Sequence, residues 1–254
     1  MRQSRLAVIK AAGGAAFAIP TFSGSHAIFG DATQGYIECY SSGTLTFPKA
    51  MTVDIFAVGG GDGGGSGTTT STYAEGGTGG KSGAHKTLTA QELKGDYTVI
   101  VGSGASSSSF GTILTASGNS GISGGSGGRA YKSPGAGQVS IKKGSNGKTG
   151  VYPFEDSTFN RVCGTGGGGG AYASNGGTIG GGTGGAVGGG DGGTAGYTYS
   201  TGVITVTAGK EGIANTGGSG GGGGAVITSE HGSKKASGGA GGSGIVIIRW
   251  GYAA

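Results

Sequence analysis

Beyond residue 35 the apolar residues fall into short runs of strand length rather than at helical spacing. Tyr36-Ile37-Glu38-Cys39-Tyr40, Leu45-Thr46-Phe47 and Val53-Asp54-Ile55-Phe56-Ala57-Val58 come first. His85 to Thr89, Tyr97 to Val101, Phe110 to Thr115, Val203 to Thr207, Ala225 to Thr228 and Ile245 to Trp250 follow. Each is rich in β-branched or aromatic residues, the signature of strands. No amphipathic helix is predicted after Ala18, because no window repeats apolar residues at three- and four-residue steps.

Between these runs lie six glycine blocks, at 59–67, 76–83, 121–128, 164–193, 217–224 and 238–244. The block 164–193 alone holds 18 Gly. In the whole chain 69 of 254 residues are Gly, against about 7% in ordinary usage. Glycine buries no side chain and loses the most backbone entropy on folding, so a conventional core cannot account for these blocks. Collagen is excluded, since the glycines run together and there are only 4 Pro. Disorder is disfavoured by 33% hydrophobic and only 11% charged residues. The blocks are expected to form polyproline-II-type helices of three residues per turn that pack side by side because they lack Cβ atoms, joined by backbone hydrogen bonds. The expected fold is therefore mainly β: a sandwich-like framework of short strands combined with packed glycine helices and few or no α-helices.

Net charge is +5, but the 17 Lys and Arg are scattered and no run of five like charges marks a nucleic-acid arm. No nucleic-acid partner is expected. Cys39 and Cys163 stand far apart, with neither zinc spacing nor the density of a disulfide scaffold, and whether they pair stays open. Residues 1–34 read as an N-terminal attachment segment, and 35–254 as one glycine-rich domain interrupted at about 129–162 by a segment poor in glycine. The start imitates a secretory signal, with Arg2 and Arg5, an apolar stretch Ala11–Ile19 and Ser25-His26-Ala27 as a cleavage-like site, although Lys10 interrupts the pattern.

Enzyme motifs are weak in such a composition. The GxSxG matches at 124–128 and 217–221 arise almost freely from glycine runs and lack the strand–turn–helix context of a nucleophile elbow. Gly147-Lys148-Thr149 and Gly80-Lys81-Ser82 lack the earlier glycine of a phosphate loop. His26, His85 and His231 show no metal spacing, and Glu155-Asp156 is the sole adjacent acidic pair. No catalytic residue, metal or cofactor is predicted.

Four segments, GTLTFPKAMTVDIFAVGGGDGGGSG, LTAQELKGDYTVIVGSGA, SSFGTILTASG and GGAGGSGIVIIRWGY, resemble in content and order the glycine-rich domain of bacteriophage tail-fibre and tail-tip proteins and of some bacterial surface proteins. The resemblance spans residues 36–252 and implies a virion protein with a glycine-helix platform that presents host-recognition loops. It further implies docking on other virion proteins through the N-terminal segment, and a host glycan or outer-membrane protein as receptor. Either a homotrimer or a single copy on a trimeric fibre is compatible with it. On a rigid scaffold, loops carry recognition, and Tyr combines contact area with a hydroxyl at low entropic cost. Tyr73, Tyr172, Tyr197 and Tyr199 are accordingly the candidate aromatic contacts, with covering the glycine layers as the alternative role. Lys132, Lys142 and Lys143, with Arg129, Lys148, Tyr152 and Phe154 nearby, form a basic group suited to phosphate or to a solvated face. Three other readings stay open: a capsid or tail decoration protein, a secreted bacterial surface protein, and a polysaccharide depolymerase.

Overall fold

The computed structural model describes residues 19–133, 141–173, 177–185 and 187–252. The attachment segment predicted at 1–34 thus lies outside the described residues up to position 18. Its remainder joins the main sheet. In chain order the strands begin with β1 Thr21–Phe22, β2 His26–Gly30, β3 Gly35–Cys39, β4 Gly43–Val58, β5 Thr68–Thr69 and β6 Tyr73–Glu75. Then come β7 His85–Ile100, β8 Ser108–Phe110, β9 Leu114–Ala116, β10 Arg129–Tyr131, β11 Ile141–Lys142 and β12 Ala171–Tyr172. The last are β13 Gly177–Ile179, β14 Ala195–Thr198, β15 Val203–Val206, β16 Ala225–Ile227, β17 Ser233–Lys235 and β18 Ile245–Trp250. One 3-10 turn, Pro153–Glu155, is the helical element among the described residues. The mainly β expectation holds.

Eight of the strands form the base of the molecule, in the order β2-β3-β18-β4-β7-β8-β9 with β1 on β4. The apolar run Val53–Val58 alternates between two buried faces. Ile55 and Ala57 join Ile37, Leu45, Phe47, Val99, Phe110 and Trp250 on one face. On the other, Phe56 and Val58 join Ile245 and Ile247 beneath Phe159 and Val162. Two expectations are corrected here. The separate runs 45–47 and 53–58 belong to the single long strand β4, bent by irregularities after Phe47 and Val53. The run Phe110 to Thr115 is the hairpin β8–β9, because Gly111 turns the chain with φ +50°.

From the base rise ten extended segments, at 59–67, 76–84, 121–128, 143–150, 164–170, 180–185, 188–194, 207–213, 217–224 and 236–244. Their hydrogen bonds repeat every third residue. The amides of 59, 62 and 65 donate to carbonyls 84, 81 and 78, whereas those of 61, 64 and 67 donate to 242, 239 and 236. A period of three is that of the polyproline-II-type helix, whose successive residues point 120° apart. Traced through all ten, the bonds define three layers of three, four and three helices. Segments 59–67, 76–84 and 121–128 form one outer layer; 236–244, 217–224, 164–170 and 143–150 the middle; and 207–213, 188–194 and 180–185 the other outer layer. Segments 217–224 and 164–170 are interior, each bonded to six neighbours.

Position in this lattice explains the composition of each segment. An interior helix is enclosed on all three residue phases, so 217–224 reads GGSGGGGG and 164–170 reads GTGGGGG. At an edge one phase suffices. Segment 143–150, KGSNGKTG, keeps Gly144, Gly147 and Gly150, where an added Cβ would press on the backbone of Gly168, Thr165 and Val162 respectively. The expected glycine-poor insertion at 129–162 is therefore partly lattice, and its residues 151–162 cover the second face of the base sheet.

Ser219 is a non-glycine residue inside an interior helix, and its hydroxyl takes the place of a backbone group. It accepts from the Gly166 amide at 2.9 Å and donates to the Gly80 carbonyl at 2.7 Å. Ser219→Ala should leave both groups buried without that partner and cost about 2 kcal/mol, measurable as a lowered denaturant midpoint at unchanged m-value.

Cys39 and Cys163 are both free and buried, in the apolar clusters on opposite faces of the base sheet. Burial pushes each thiol up to about 12.

Candidate functional site

Where the helices leave the lattice they become strands, and the spacing widens enough to admit side chains. The change is stepwise. Ala74, Ala130, Ala171 and Ala225 form a small apolar layer directly beyond the glycines, and Tyr172, Tyr197 and Val226 pack beyond or beside it. Ten short strands end here in three small sheets, β10-β6-β5, β11-β12-β16-β17 and β13-β14-β15. The interior helices run parallel, and so do the strands they feed, β12 and β16, with Ala171 opposite Ala225. Among the described residues the chain reversals β5–β6, β14–β15 and β16–β17 lie at this end, remote from the base sheet. A helix of eight residues at about 3.1 Å per residue is some 25 Å long.

All seven predicted contact residues converge on this end, but their exposures differ. Tyr73 is half-buried on β6 opposite Tyr131 of β10, ring centroids 5.8 Å apart. The Arg129 guanidinium lies 4.7 Å from the Tyr73 ring centre and bonds Glu75 at 2.7 Å, which holds it firmly charged. The Lys132 amide donates to the Thr72 carbonyl and closes the same small sheet. Tyr199 is 61% exposed and meets Tyr197 edge-on at 6.5 Å. Tyr197 itself is buried, its hydroxyl 2.9 Å from His231 Nδ1, and burial raises its phenol.

Tyr172 is fully buried in the apolar layer, so it presents no surface to a partner. It and Tyr197 take the covering role that the sequence left open, because each stands just past the end of a lattice segment, where helix becomes strand. Lys142 and Lys143 are exposed at the lateral edge, where β11 passes into segment 143–150. Phe154 and Tyr152 lie at the base, near Phe56 and Arg161 respectively, away from the loops.

Two residues of the site carried no earlier expectation. Tyr131 stands in GGRAY, a glycine run followed within a few residues by Tyr, the pattern that also precedes Tyr172. That repetition was sufficient to find it. His231 has no local signal and reaches Tyr197 only through the pairing of neighbouring hairpins.

The surface is polar and aromatic. Arg129–Glu75 and, on the outer helices, Lys210–Asp191 at 2.8 Å are closed ion pairs. Among the described residues no group of three His, Cys, Asp or Glu gathers as a metal site, and no helix is long and apolar enough to cross a membrane. Two hollows of about 320 Å³ lie at the base, one lined by Arg161, Val187, Ile213 and Asn215, the other by Phe56, His85 and Tyr152.

Acid should weaken the molecule within a narrow window. Asp191 is held below its usual value by the Lys210 ammonium and the Gly184 amide, Asp156 by the Thr158 amide and hydroxyl, and Asp31 by the Thr33 hydroxyl and nearby amides. Each binds its proton more readily unfolded than folded, so its contribution is complete above about pH 4 and is lost as pH falls below that. The thermal midpoint is expected to stay level from pH 8 to about 5 and to drop below 4, as followed by circular dichroism.

A family described as a glycine-rich domain matches residues 40–251. No curated protein matches the chain.

Proposed function

Since the chain belongs to the glycine-rich domain family, we propose that it is a host-attachment component of a bacteriophage tail fibre or tail tip, a binding protein rather than a catalyst. The observation that carries this is the gathering of the described chain reversals β5–β6, β14–β15 and β16–β17 at one end of a lattice built from backbone contacts. Recognition loops gain affinity when their supports are rigid, because less conformational entropy is lost on binding. The lattice supplies that rigidity without placing constraints on loop sequence. Tyr73 with Tyr131 and Arg129, and exposed Tyr199, form the contact surface, suited to a host-surface glycan or an outer-membrane protein. Residues 1–18 attach the protein to the remainder of the virion.

The test is saturable binding of the fluorescently labelled protein to intact candidate host cells. Joint replacement Tyr73→Ala and Tyr199→Ala should weaken attachment at least tenfold with the fold retained, whereas removal of residues 1–18 should leave it intact. Absence of cell binding, together with incorporation into virions that requires residues 1–18, would make the protein a structural decoration instead.

A further inference from the structure

We propose that the lateral edge formed by segment 143–150 is a second binding site, a lane for an extended anionic polysaccharide carrying phosphate or carboxylate groups. Three residues per turn divide this segment into three lines. Gly144, Gly147 and Gly150 face the lattice, so the other two lines face outward. Lys143, Asn146 and Thr149 occupy one, while Ser145 and Lys148 occupy the other, continued upward by Lys142 at the end of β11. Lys142, Lys143 and Lys148 are all exposed. At about 3.1 Å per residue, Lys142 and Lys148 stand roughly 19 Å apart, and the lane runs from the loop end toward the base.

Clustering distinguishes this edge from the remainder of the lattice. Arg129, Lys210 and Arg249 are each paired with a carboxylate, of Glu75, Asp191 and Asp54 respectively, and Lys81 stands singly on segment 76–84, whereas three lysines gather here. The helices flanking the lane, 121–128 and 180–185, contain no acidic residue. The nearest carboxylates in the chain, Glu155 and Asp156, belong to the turn at the base, where Asp156 faces Arg249 at 3.9 Å. Three exposed lysines on two adjacent lines of one rigid helix, with no acidic residue on the flanking helices, give a positive field along the edge.

The occupant follows from the spacing and from what stands between the charges. Ammonium groups confined to the edge of one helix fit one extended polymer rather than the paired phosphate rows of a duplex. Between the charges the Ser145 hydroxyl is held by the Ser126 backbone and Asn146 Oδ1 accepts from the Thr183 amide, which leaves the Asn146 amide nitrogen and the Thr149 hydroxyl to match sugar hydroxyls, and the lane offers no aromatic face on which bases would stack. Carboxylate and phosphate polymers share the required chemistry, and the test separates them. This inference rests on the attachment reading only for the source of the glycan.

The experiment uses purified full-length protein and defined polymers: polygalacturonate for carboxylate, poly(glycerol phosphate) for phosphate, neutral dextran, and duplex DNA. The protein is expected to bind at least one of the anionic polymers other than DNA, with affinity falling steeply as salt rises, and to ignore dextran. Joint replacement Lys142→Gln, Lys143→Gln and Lys148→Gln should weaken binding at least tenfold at low salt and reduce the salt slope by about one per lysine in contact. The variant Lys86→Gln, Lys234→Gln and Lys235→Gln removes the same charge from other exposed positions and should bind as the unmodified protein does. Lys148→Gln alone provides the milder test should the triple variant fold poorly. Equal loss in both triple variants, undiminished binding in the first, dextran binding as strong as that of the anionic polymers, or tighter binding to DNA would each overturn the lane. Cell attachment by the tyrosine variants is measured separately, so a failure here leaves the loop surface untouched.

Discussion

Gly222→Ala is expected to prevent stable folding, although it adds a single methyl group. Gly222 lies at the centre of an interior helix, its amide donating to Gly167 at 2.9 Å and its carbonyl accepting from Gly193 at 2.7 Å. An added Cβ would fall inside the carbonyl of Gly77 and against Thr78. In an ordinary core an extra methyl costs about 1–3 kcal/mol, because side chains rotate aside. Here the obstacle is backbone, fixed by its own hydrogen bonds, and the helices must separate. Separation breaks bonds along several flanks at once, so a loss above about 4 kcal/mol is expected, comparable with much of the stability of a typical domain. Gly180→Ala is the control, since nothing lies within 4 Å of the added atom and a change that meets no neighbour shifts stability by about 0.5 kcal/mol or less. Thermal unfolding of the two variants decides the matter: equal midpoints would mean that the glycine lattice is not what holds the molecule together.

Asp54→Ala is expected to cost about 3 kcal/mol. Asp54 sits on β4 at the irregularity after Val53, opposite Arg249 of β18. One carboxylate oxygen bonds Arg249 Nε at 2.8 Å, and the other accepts from the amide of Ala90, whose φ of +53° marks the matching kink in β7. Arg249 also lies 4.2 Å from the Phe154 ring centre and 5.0 Å from that of Tyr252. Both partners are largely buried, at 11% and 14% side-chain exposure, so removing one strands the other. Asp156, 3.9 Å from the guanidinium, offsets part of the loss and places the expectation at the low end of the range for broken buried pairs. Replacing both, Asp54→Ala with Arg249→Met, should recover most of the stability, because the guanidinium is then no longer buried unpaired. A urea-denaturation cycle over the four proteins measures this, and additive losses would show that the pair is not coupled.

The strands of the base were legible because they are ordinary: Val53–Val58 and Ile245–Trp250 combine β-branched and aromatic residues with strand length. The two-residue strands of the loop end were not. β11 and β12 owe their existence to the helices that precede or follow them, and Ile141-Lys142 or Ala171-Tyr172 in isolation carries too little propensity to be noticed. The single long glycine block 164–193 likewise hid three helices and the strand of Tyr172 between them. For the candidate site, the residue types were readable and the exposures were not. Tyr172 and Tyr199 stand in similar glycine-rich contexts, yet one is fully buried and the other 61% exposed, according to whether the neighbouring hairpin covers it.

The sequence by itself determined that the protein is mainly β and that glycine segments pack through their backbones. These follow from composition and local propensity, which act over a few residues. Only the tertiary structure decided which segments are interior, how many glycine phases each requires, and which lysines meet a counter-charge. Those outcomes depend on the neighbours each helix acquires from distant parts of the chain. A glycine at every third position, as in 143–150, has no local meaning until the lattice assigns that phase to the inside and leaves the lysines of the other two facing water.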